Sequence, residues 1–144
     1  MQQRSVQHET FTIERSYSAS PSRVFAAWAS PEAKAAWFSR PREFDFRVGG
    51  REYSRTPHNG AVYTYDACYQ EIVLEQRIVY TYTLDCDETR ISVSVATVQF
   101  QLEGSGTKLI FTEQGAFLDG GDQPEYREQG TKSFLDALDV ALRS

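Results

Sequence analysis

The sequence is poor in several features that would each point to a class of protein. Its 144 residues include only two cysteines, Cys68 and Cys86, which cannot make the disulfide framework of a small secreted domain. Only two histidines occur, and they lie far apart in the chain, at His8 and His58. A metal site built on a histidine pair is therefore not expected. We predict neither a metal site nor a cofactor.

Long apolar runs and excess positive charge are also missing. No window approaches the roughly 18 apolar residues of a membrane span. The N-terminal segment MQQRSVQHET lacks the apolar run of a signal peptide. Fifteen lysines and arginines stand against 20 acidic residues, a formal net charge of −5, whereas a nucleic-acid binder needs a basic face. These absences predict a cytoplasmic protein without a membrane span or a nucleic-acid partner.

No motif for catalysis is recognisable. No serine or cysteine lies in a nucleophile motif, and Gly104-Ser105-Gly106 joins two predicted strands instead of opening a helix, so it cannot bind phosphate. We therefore predict no catalytic residue. Aromatic residues are plentiful instead, with nine phenylalanines, eight tyrosines and two tryptophans. A chain of this length suits one domain with a sizeable core.

A long amphipathic helix is predicted over residues 122–142. Asp122 and Glu125 have the spacing of a capping box, and Pro124 suits the first helical turn. A helix of this length spans about 30 Å and needs an apolar surface to pack on. The positions that recur every four residues are Tyr126, Gly130, Phe134, Leu138 and Leu142.

The preceding residues predict a strand at 10–18, two short helices and then six strands. Ser20-Pro21 and Ser30-Pro31 each place an N-cap before a proline, and Trp37 and Phe38 are expected to end the second helix. Residues 1–9 are expected to form a flexible tail, and residues 10–144 a single domain. The six strands are predicted at residues 43–48, 51–56, 61–72, 77–84, 91–103 and 107–114.

Apolar positions change phase within residues 91–103. They are odd from Ile91 to Val95 but even from Val98 onwards, which predicts a bulge near Ala96-Thr97. Consecutive strands joined by short turns are antiparallel. The element order therefore predicts an α+β fold, in which a curved antiparallel sheet of about seven strands packs around the C-terminal helix. A cavity between sheet and helix is expected to hold a ligand.

Four motifs occur in a fixed order along the chain. They are Ser20-Pro21-x-x-Val24-Phe25-x-x-Trp28-x-x-Pro31-x-x-x-x-x-Trp37-Phe38, Asp45-x-Arg47-x-Gly49-Gly50, Glu71-Ile72 with Gln76-Arg77-Ile78-Val79-Tyr80, and Gly106-Thr107-x-Leu109. Together they resemble the START-like (SRPBCC) superfamily, whose helix-grip fold is shared with the birch-pollen allergen and polyketide cyclases. Within it, the chain looks like the group of the heat-shock-ninety ATPase activator, C-terminal-domain type, over about residues 10–142.

The resemblance implies a hydrophobic cavity between the sheet and the long helix but no single reaction. Relatives bind lipids, hormones or antibiotics, some catalyse cyclisation, and the namesake stimulates a chaperone. We therefore favour binding of a small hydrophobic or amphipathic molecule by a carrier, sensor or sequestering protein. The alternatives are a cyclase-like or hydrolase-like enzyme acting on such a molecule, and a chaperone-activating or other interaction module, with a homodimer left open.

The candidate ligand-binding residues are mostly aromatic side chains on predicted inner faces. Trp37 and Phe38 are interpreted either as a pocket mouth or as a structural plug. Glu113 points at the cavity if its strand stays regular, with Arg127 as a candidate partner, and could orient a ligand or act as a general acid or base. The full set is Phe25, Trp28, Trp37, Phe38, Phe46, Tyr80, Tyr82, Val95, Phe111, Glu113, Arg127, Thr131 and Phe134.

Two neighbouring residues of the long helix bear on the size of the cavity. Gly130 costs about 1 kcal/mol relative to alanine inside a helix, which either close packing or space for a ligand should offset. Close packing is slightly favoured. Many relatives have a tryptophan immediately after the matching glycine, where this chain has Thr131, so the smaller side chain should change the pocket volume.

Overall fold

The computed structural model describes residues 3–144 and confirms the predicted α+β architecture. A curved, unclosed antiparallel sheet of seven strands faces a long C-terminal helix. The strand order is β1-β7-β6-β5-β4-β3-β2, so the first and last strands are neighbours. The strands are β1 (Val6–Tyr17), β2 (Glu43–Phe44), β3 (Arg51–His58), β4 (Ala61–Val73), β5 (Arg77–Cys86), β6 (Thr89–Glu103) and β7 (Gly106–Leu118). The helices are α1 (Pro21–Ala29), α2 (Pro31–Lys34) and α3 (Pro124–Leu142).

The two short helices begin as predicted. The Ser20 hydroxyl accepts from the Arg23 amide, and the Ser30 hydroxyl accepts from the Ala33 amide, each at 3.3 Å. However, α2 ends at Lys34, so Trp37 follows the helix in a turn instead of ending it. Trp37 Nε1 donates to the Ala27 carbonyl at 3.1 Å, which holds the indole against α1.

The strand predicted at residues 43–48 is reduced to the two residues of β2. After Phe44 the chain makes a tight turn, in which the Gly50 amide donates to the Arg47 carbonyl at 2.8 Å and Gly49 has φ +84°. A side chain at Gly50 would collide with the Asp45 carbonyl. The backbone therefore cannot stay extended through Val48.

The bulge in β6 lies at Ile91, so its predicted position at Ala96-Thr97 is wrong. The β5–β6 register shifts between Leu84 and Asp85, and it continues without a break past Ala96. Ile91 and Ser92 are both buried, and from Ser92 onwards the even positions face inwards as far as Phe100. The sequence pattern did not indicate that the even positions face inwards, because two of them are occupied by serines, Ser92 and Ser94, instead of apolar residues.

Strand β1 begins earlier than the sequence predicts. Val6 pairs with Leu118, and the Ser5 amide donates to Asp119 Oδ1 at 2.8 Å. Residues 6–9 therefore belong to the sheet and not to the predicted tail, of which residues 1–2 lie outside the described residues. Among residues 3–144, no helix is long and apolar enough to span a membrane.

Helix α3 packs against β1 and α1 through its C-terminal half. Leu135, Leu138 and Leu142 are buried there, and the Tyr17 hydroxyl donates to the Leu135 carbonyl at 2.8 Å. The N-terminal half has no buried apolar side chain after Pro124 until Leu135. This half is therefore the part of the helix that stands away from the sheet.

The capping box predicted for α3 is not formed. The N-cap residue is Gln123, and its side chain makes no capping hydrogen bond. Asp122 instead accepts from the Gln123 amide through Oδ1 and from Arg127 through Oδ2. Asp122 therefore does not cap the helix but pairs with Arg127 of the same helix, whose side chain is only 9% exposed.

Candidate functional site

A cavity of about 360 Å³ lies between the concave face of the sheet and the N-terminal half of α3. Tyr126 and Phe134 of α3 line it and are 73% and 39% exposed, so they mark its opening to solvent. The aromatic side chains that line the cavity are Trp28, Trp37, Phe38, Tyr63, Tyr65, Tyr80, Tyr82, Phe111, Tyr126 and Phe134. Ligand sites in proteins are commonly of this size and mostly apolar.

Small residues explain why the space is not filled. Ala96 and Ser94 of β6 stand beside Tyr80 and Tyr82 of β5, so the tyrosine rings have no large neighbour on that side of the sheet. On the helix, a side chain added at Gly130 would meet nothing within 4 Å. The close packing slightly favoured for Gly130 is therefore wrong, and this glycine leaves space.

Most of the predicted site residues do meet at this cavity. The ones that line it are Trp28, Trp37, Phe38, Tyr80, Tyr82, Phe111, Glu113, Arg127, Thr131 and Phe134. Trp37 is 5% exposed, and Phe38 stacks edge-on against Phe134 of α3, with ring centroids 4.7 Å apart. The pair Trp37-Phe38 thus combines the two roles considered for it, because Trp37 is core and Phe38 meets α3 near the opening.

Three predicted site residues lie elsewhere. Phe25 packs in the core, with its ring centroid 5.9 Å from that of Phe46 and 5.4 Å from that of Phe100. The Phe46 ring also contacts that of Tyr69, and neither Phe25 nor Phe46 lines the cavity. Val95 is 36% exposed on the outer face of the sheet, because the bulge at Ile91 turns the odd positions of β6 outwards.

A cluster centred on Arg127 forms one polar wall of the cavity. Arg127 Nη1 donates to Glu113 Oε2 at 3.1 Å and to the Tyr82 hydroxyl at 2.9 Å. Arg127 Nη2 donates to the Ser92 hydroxyl at 2.7 Å and to Asp122 Oδ2 at 2.8 Å. The pairing of Glu113 with Arg127, which the sequence suggested, is confirmed by this geometry.

Burial sets the protonation of the groups in this cluster. Burial, reinforced by the Glu113 carboxylate, raises the pKa of Tyr82 above its ordinary value of 10. Tyr82 is therefore protonated at neutral pH and donates to Glu113 Oε2 at 2.7 Å. Burial alone would lower the pKa of Arg127, but Tyr82, Glu113 and Asp122 outweigh it and raise that pKa. The cluster thus presents a guanidinium and a hydroxyl donor to a carboxylate.

A second buried cluster, centred on Lys34, was missed at the sequence level. Lys34 Nζ lies 2.7 Å from Glu52 Oε1, and the two side chains are 3% and 1% exposed. The Tyr69 hydroxyl donates to the same oxygen at 2.6 Å. Lys34 lines the cavity, and its ammonium lies within 6.0 Å of several ring centroids, including those of Trp28 and Phe38.

The sequence offered little sign of this second cluster. Lys34 lies in a four-residue helix and Glu52 in an edge hairpin, 18 positions later, so only tertiary packing brings them together. Tyr63 and Tyr65 are two positions apart on β4, so they share a strand face, and both line the cavity. The remaining lining residues absent from the predicted set include Ser39, Ser54, Thr56, His58, Leu84 and Leu135.

Comparison with known proteins places this geometry in a wider group. A family model described as "Activator of Hsp90 ATPase homolog 1-like protein" matches residues 18–143. No curated protein matches the chain. The fold is similar to a solved protein from Rhizobium leguminosarum at 44% identity and TM-score 0.93, with 99% of each chain covered.

Two further solved structures show how widely the fold is shared. The protein Mll3558 from Rhizobium loti is 44% identical with a TM-score of 0.91, and the match covers 95% of this chain and 99% of that one. CalU16 from Micromonospora echinospora is 19% identical with a TM-score of 0.67, over 97% of this chain and 85% of that one. The likeness to CalU16 concerns the fold alone.

Proposed function

Because this chain belongs to the family of Activator of Hsp90 ATPase homolog 1-like proteins, which share the START-type helix grip, we propose that it binds a small hydrophobic or amphipathic molecule in the cavity under α3. The observation that carries the proposal is an aromatic-walled space of about 360 Å³ that opens beside Tyr126 and Phe134. Folded proteins rarely keep such a volume empty of side chains without use, because filling it would add stability.

The walls favour a molecule with a flat apolar body. Tyr65 and Tyr82 lie with ring centroids 5.0 Å apart on neighbouring strands, and Tyr80 lies beside Tyr82 at 6.1 Å. These rings present apolar faces and hydroxyl tips to the same space. A ligand that stacks on them and also offers polar groups would use both features.

Filling the cavity from the helix tests the proposal. We expect Gly130→Leu to remain folded, since a side chain there meets open space, and to abolish ligand binding because the leucine occupies the cavity. The measurement is a thermal-shift screen with fatty acids, polycyclic aromatic alcohols and hydrophobic drugs. A ligand at 100 times its dissociation constant should stabilise the wild-type protein by about 2.7 kcal/mol.

Two control variants isolate the effect of volume. Gly130→Ala adds a single methyl group and should retain binding, while it stabilises the helix by about 1 kcal/mol. Gln129→Leu places the leucine one position away at an exposed site and should also retain binding. If no compound stabilises the wild-type protein, or if Gly130→Leu binds as well as Gln129→Leu does, the cavity is not a ligand site.

An enzyme acting on the same kind of molecule is the second candidate, and one observation supports it. Tyr82, Glu113 and Arg127 converge, with all three of their mutual contacts at 3.1 Å or less. A carboxylate held in this way could orient a ligand or accept a proton from it. Mass spectrometry of a bound compound before and after incubation distinguishes turnover from simple binding.

A further inference from the structure

We propose that the cavity selects an uncharged molecule with a hydroxyl or N–H group that donates a hydrogen bond to Glu113 Oε1, and that it rejects anionic amphiphiles. This inference rests on the proposed function and names the chemical class of the ligand. It divides the hydrophobic and amphipathic molecules considered above into those with a neutral donor group and those with a carboxylate or other anionic head.

Glu113 supplies the first argument. Its side chain lines the cavity, and the residue is only 2% exposed. Oε2 accepts from both Tyr82 and Arg127, whereas Oε1 accepts from no residue among 3–144. An enclosed carboxylate oxygen without a donor lacks a stabilising hydrogen bond worth about 1.5–3 kcal/mol.

Glu113 lines the cavity, and its unpartnered oxygen Oε1 keeps some accessible surface. Three other side-chain nitrogen or oxygen atoms in the described part of the chain are sealed from solvent and lack a partner, namely Trp28 Nε1, Glu52 Oε2 and Ser94 Oγ. Glu113 Oε1 has no partner either but is not sealed in this way. It is therefore the unpartnered carboxylate oxygen that a molecule in the cavity can reach.

The balance of charge supplies the second argument. Among residues 3–144, the lysine and the arginine that line the cavity, Lys34 and Arg127, are already held by three carboxylates, those of Glu52, Glu113 and Asp122. The site therefore has an excess of one negative charge. An anionic head would be buried beside this excess negative charge, and the described residues offer it no free lysine or arginine at the cavity, which is strongly unfavourable.

Lys34 does not provide the missing cation. Besides its contact with Glu52, its ammonium lies 5.0 Å from the ring centroid of Phe38, 5.4 Å from that of Trp28 and 5.9 Å from that of Tyr80. The electron-rich faces of the rings stabilise the charge inside the protein. Lys34 is thus neutralised by Glu52 and enclosed by aromatic groups, and an entering carboxylate would have to compete with Glu52.

A matched series of compounds on one ring system tests the inference. Naphthalenemethanol offers a neutral hydroxyl donor, methylnaphthalene offers none, and naphthoate carries a carboxylate. Isothermal titration calorimetry with the wild-type protein should show that naphthalenemethanol binds at least about tenfold more tightly than naphthoate, with methylnaphthalene between them.

Removing the charge of Glu113 should reduce this selectivity. In Glu113→Gln we expect the preference for naphthalenemethanol over naphthoate to fall below about threefold, because the amide no longer repels a carboxylate and itself carries N–H donors. Glu103→Gln makes the same change at an exposed end of β6 and should leave the preference unaltered. Circular dichroism checks that both variants fold.

Binding of the three compounds to the wild-type protein tests the inference even if Glu113→Gln does not fold. Naphthoate binding as tightly as naphthalenemethanol, or more tightly, would overturn the inference while leaving the proposed function intact. Binding of none of the three compounds, together with a failed screen of the wider panel, would overturn both. Unchanged selectivity in a folded Glu113→Gln would also contradict the role given to this carboxylate.

Discussion

Lys34 and Glu52 form an ion pair that is removed almost completely from water. Their contact of 2.7 Å comes with the hydrogen bond from Tyr69, and Glu52 Oε2 keeps no partner. Transfer of two charges into the protein costs several kcal/mol per ion, which a good contact only partly offsets. The pair therefore contributes little to the stability of the fold. Either charge buried without its partner would be strongly destabilising.

Breaking this pair from one side should be strongly destabilising. We expect Lys34→Met to lower the free energy of unfolding by about 3–5 kcal/mol, because Glu52 is left buried without its cation. The double variant Lys34→Met with Glu52→Gln should recover a large part of that loss, since no charge remains and the glutamine still accepts from Tyr69. Urea denaturation measures both.

A surface pair provides the comparison. Lys108 contacts Glu14 at 3.1 Å, but these side chains are 36% and 57% exposed. Lys108→Met should therefore change the free energy of unfolding by less than about 1 kcal/mol. A double variant at Lys34 and Glu52 that is less stable than Lys34→Met alone would show that the buried pair stabilises the fold outright.

The two halves of helix α3 have different roles, since one packs on the core and the other covers the cavity. Its C-terminal half is bound to the core, where Arg23 Nη2 also donates to the Leu142 carbonyl at 2.8 Å. Its N-terminal half stands over the cavity and holds Arg127 by ion pairs to Glu113 and Asp122. The first turn of α3 is thus fixed by the ion pairs of Arg127 together with the buried ring of Pro124.

The weak N-terminus of α3 can be improved. Gln123 already has the extended backbone of an N-cap, with φ −101° and ψ 130°, but no side-chain hydrogen bond. Gln123→Ser should supply one to a free amide of the first turn and raise the free energy of unfolding by about 1 kcal/mol in urea denaturation. Gln129→Ser, inside the same helix, should instead lower it slightly because serine is a weaker helix former.

An unchanged or lower free energy of unfolding in Gln123→Ser would contradict this prediction. If Gln123→Ser is no more stable than the wild-type protein, the first amides of α3 are already satisfied by water. A serine hydroxyl at position 123 would then replace a water molecule without adding stability.

The whole molecule buries tyrosines along one side of its sheet and beneath its helix. Burial raises the pKa of Tyr17, Tyr65, Tyr69, Tyr80 and Tyr82 above the ordinary value of 10. For Tyr69 the Glu52 carboxylate adds to this effect. Because these groups ionise more readily in the unfolded chain, we expect alkali to destabilise the whole domain.

The sign of this pH dependence follows from the direction of the shifts. Because the folded pKa values lie above the unfolded value of 10, the contribution to stability is complete below pH 10 and is lost as pH rises towards the folded values. We expect a cooperative unfolding above pH 10, in which tyrosinate absorbance from these five residues and the loss of circular dichroism occur together. Ionisation of all five near pH 10 with unchanged circular dichroism would contradict it.

Much of this protein is determined by local pattern. The caps at Ser20 and Ser30, the strand alternation and the four-residue period of α3 depend on residues close together in sequence, so the α+β order could be predicted. Burial of aromatic residues on strand faces follows from the same period of two. For this reason the predicted aromatic residues of β5 and β7, namely Tyr80, Tyr82 and Phe111, do line the cavity.

Tertiary structure decided the rest, because these features depend on groups brought together from distant positions. The bulge at Ile91 moves Val95 to the outside, and the pattern could not show it since serines occupy the buried positions. Lys34 of α2 meets Glu52 of β3 only in the folded chain, and Gly130 faces open space because the N-terminal half of α3 lies over the cavity. Chain periodicity therefore determined the elements, whereas the charges and the volume of the cavity arise from how those elements pack.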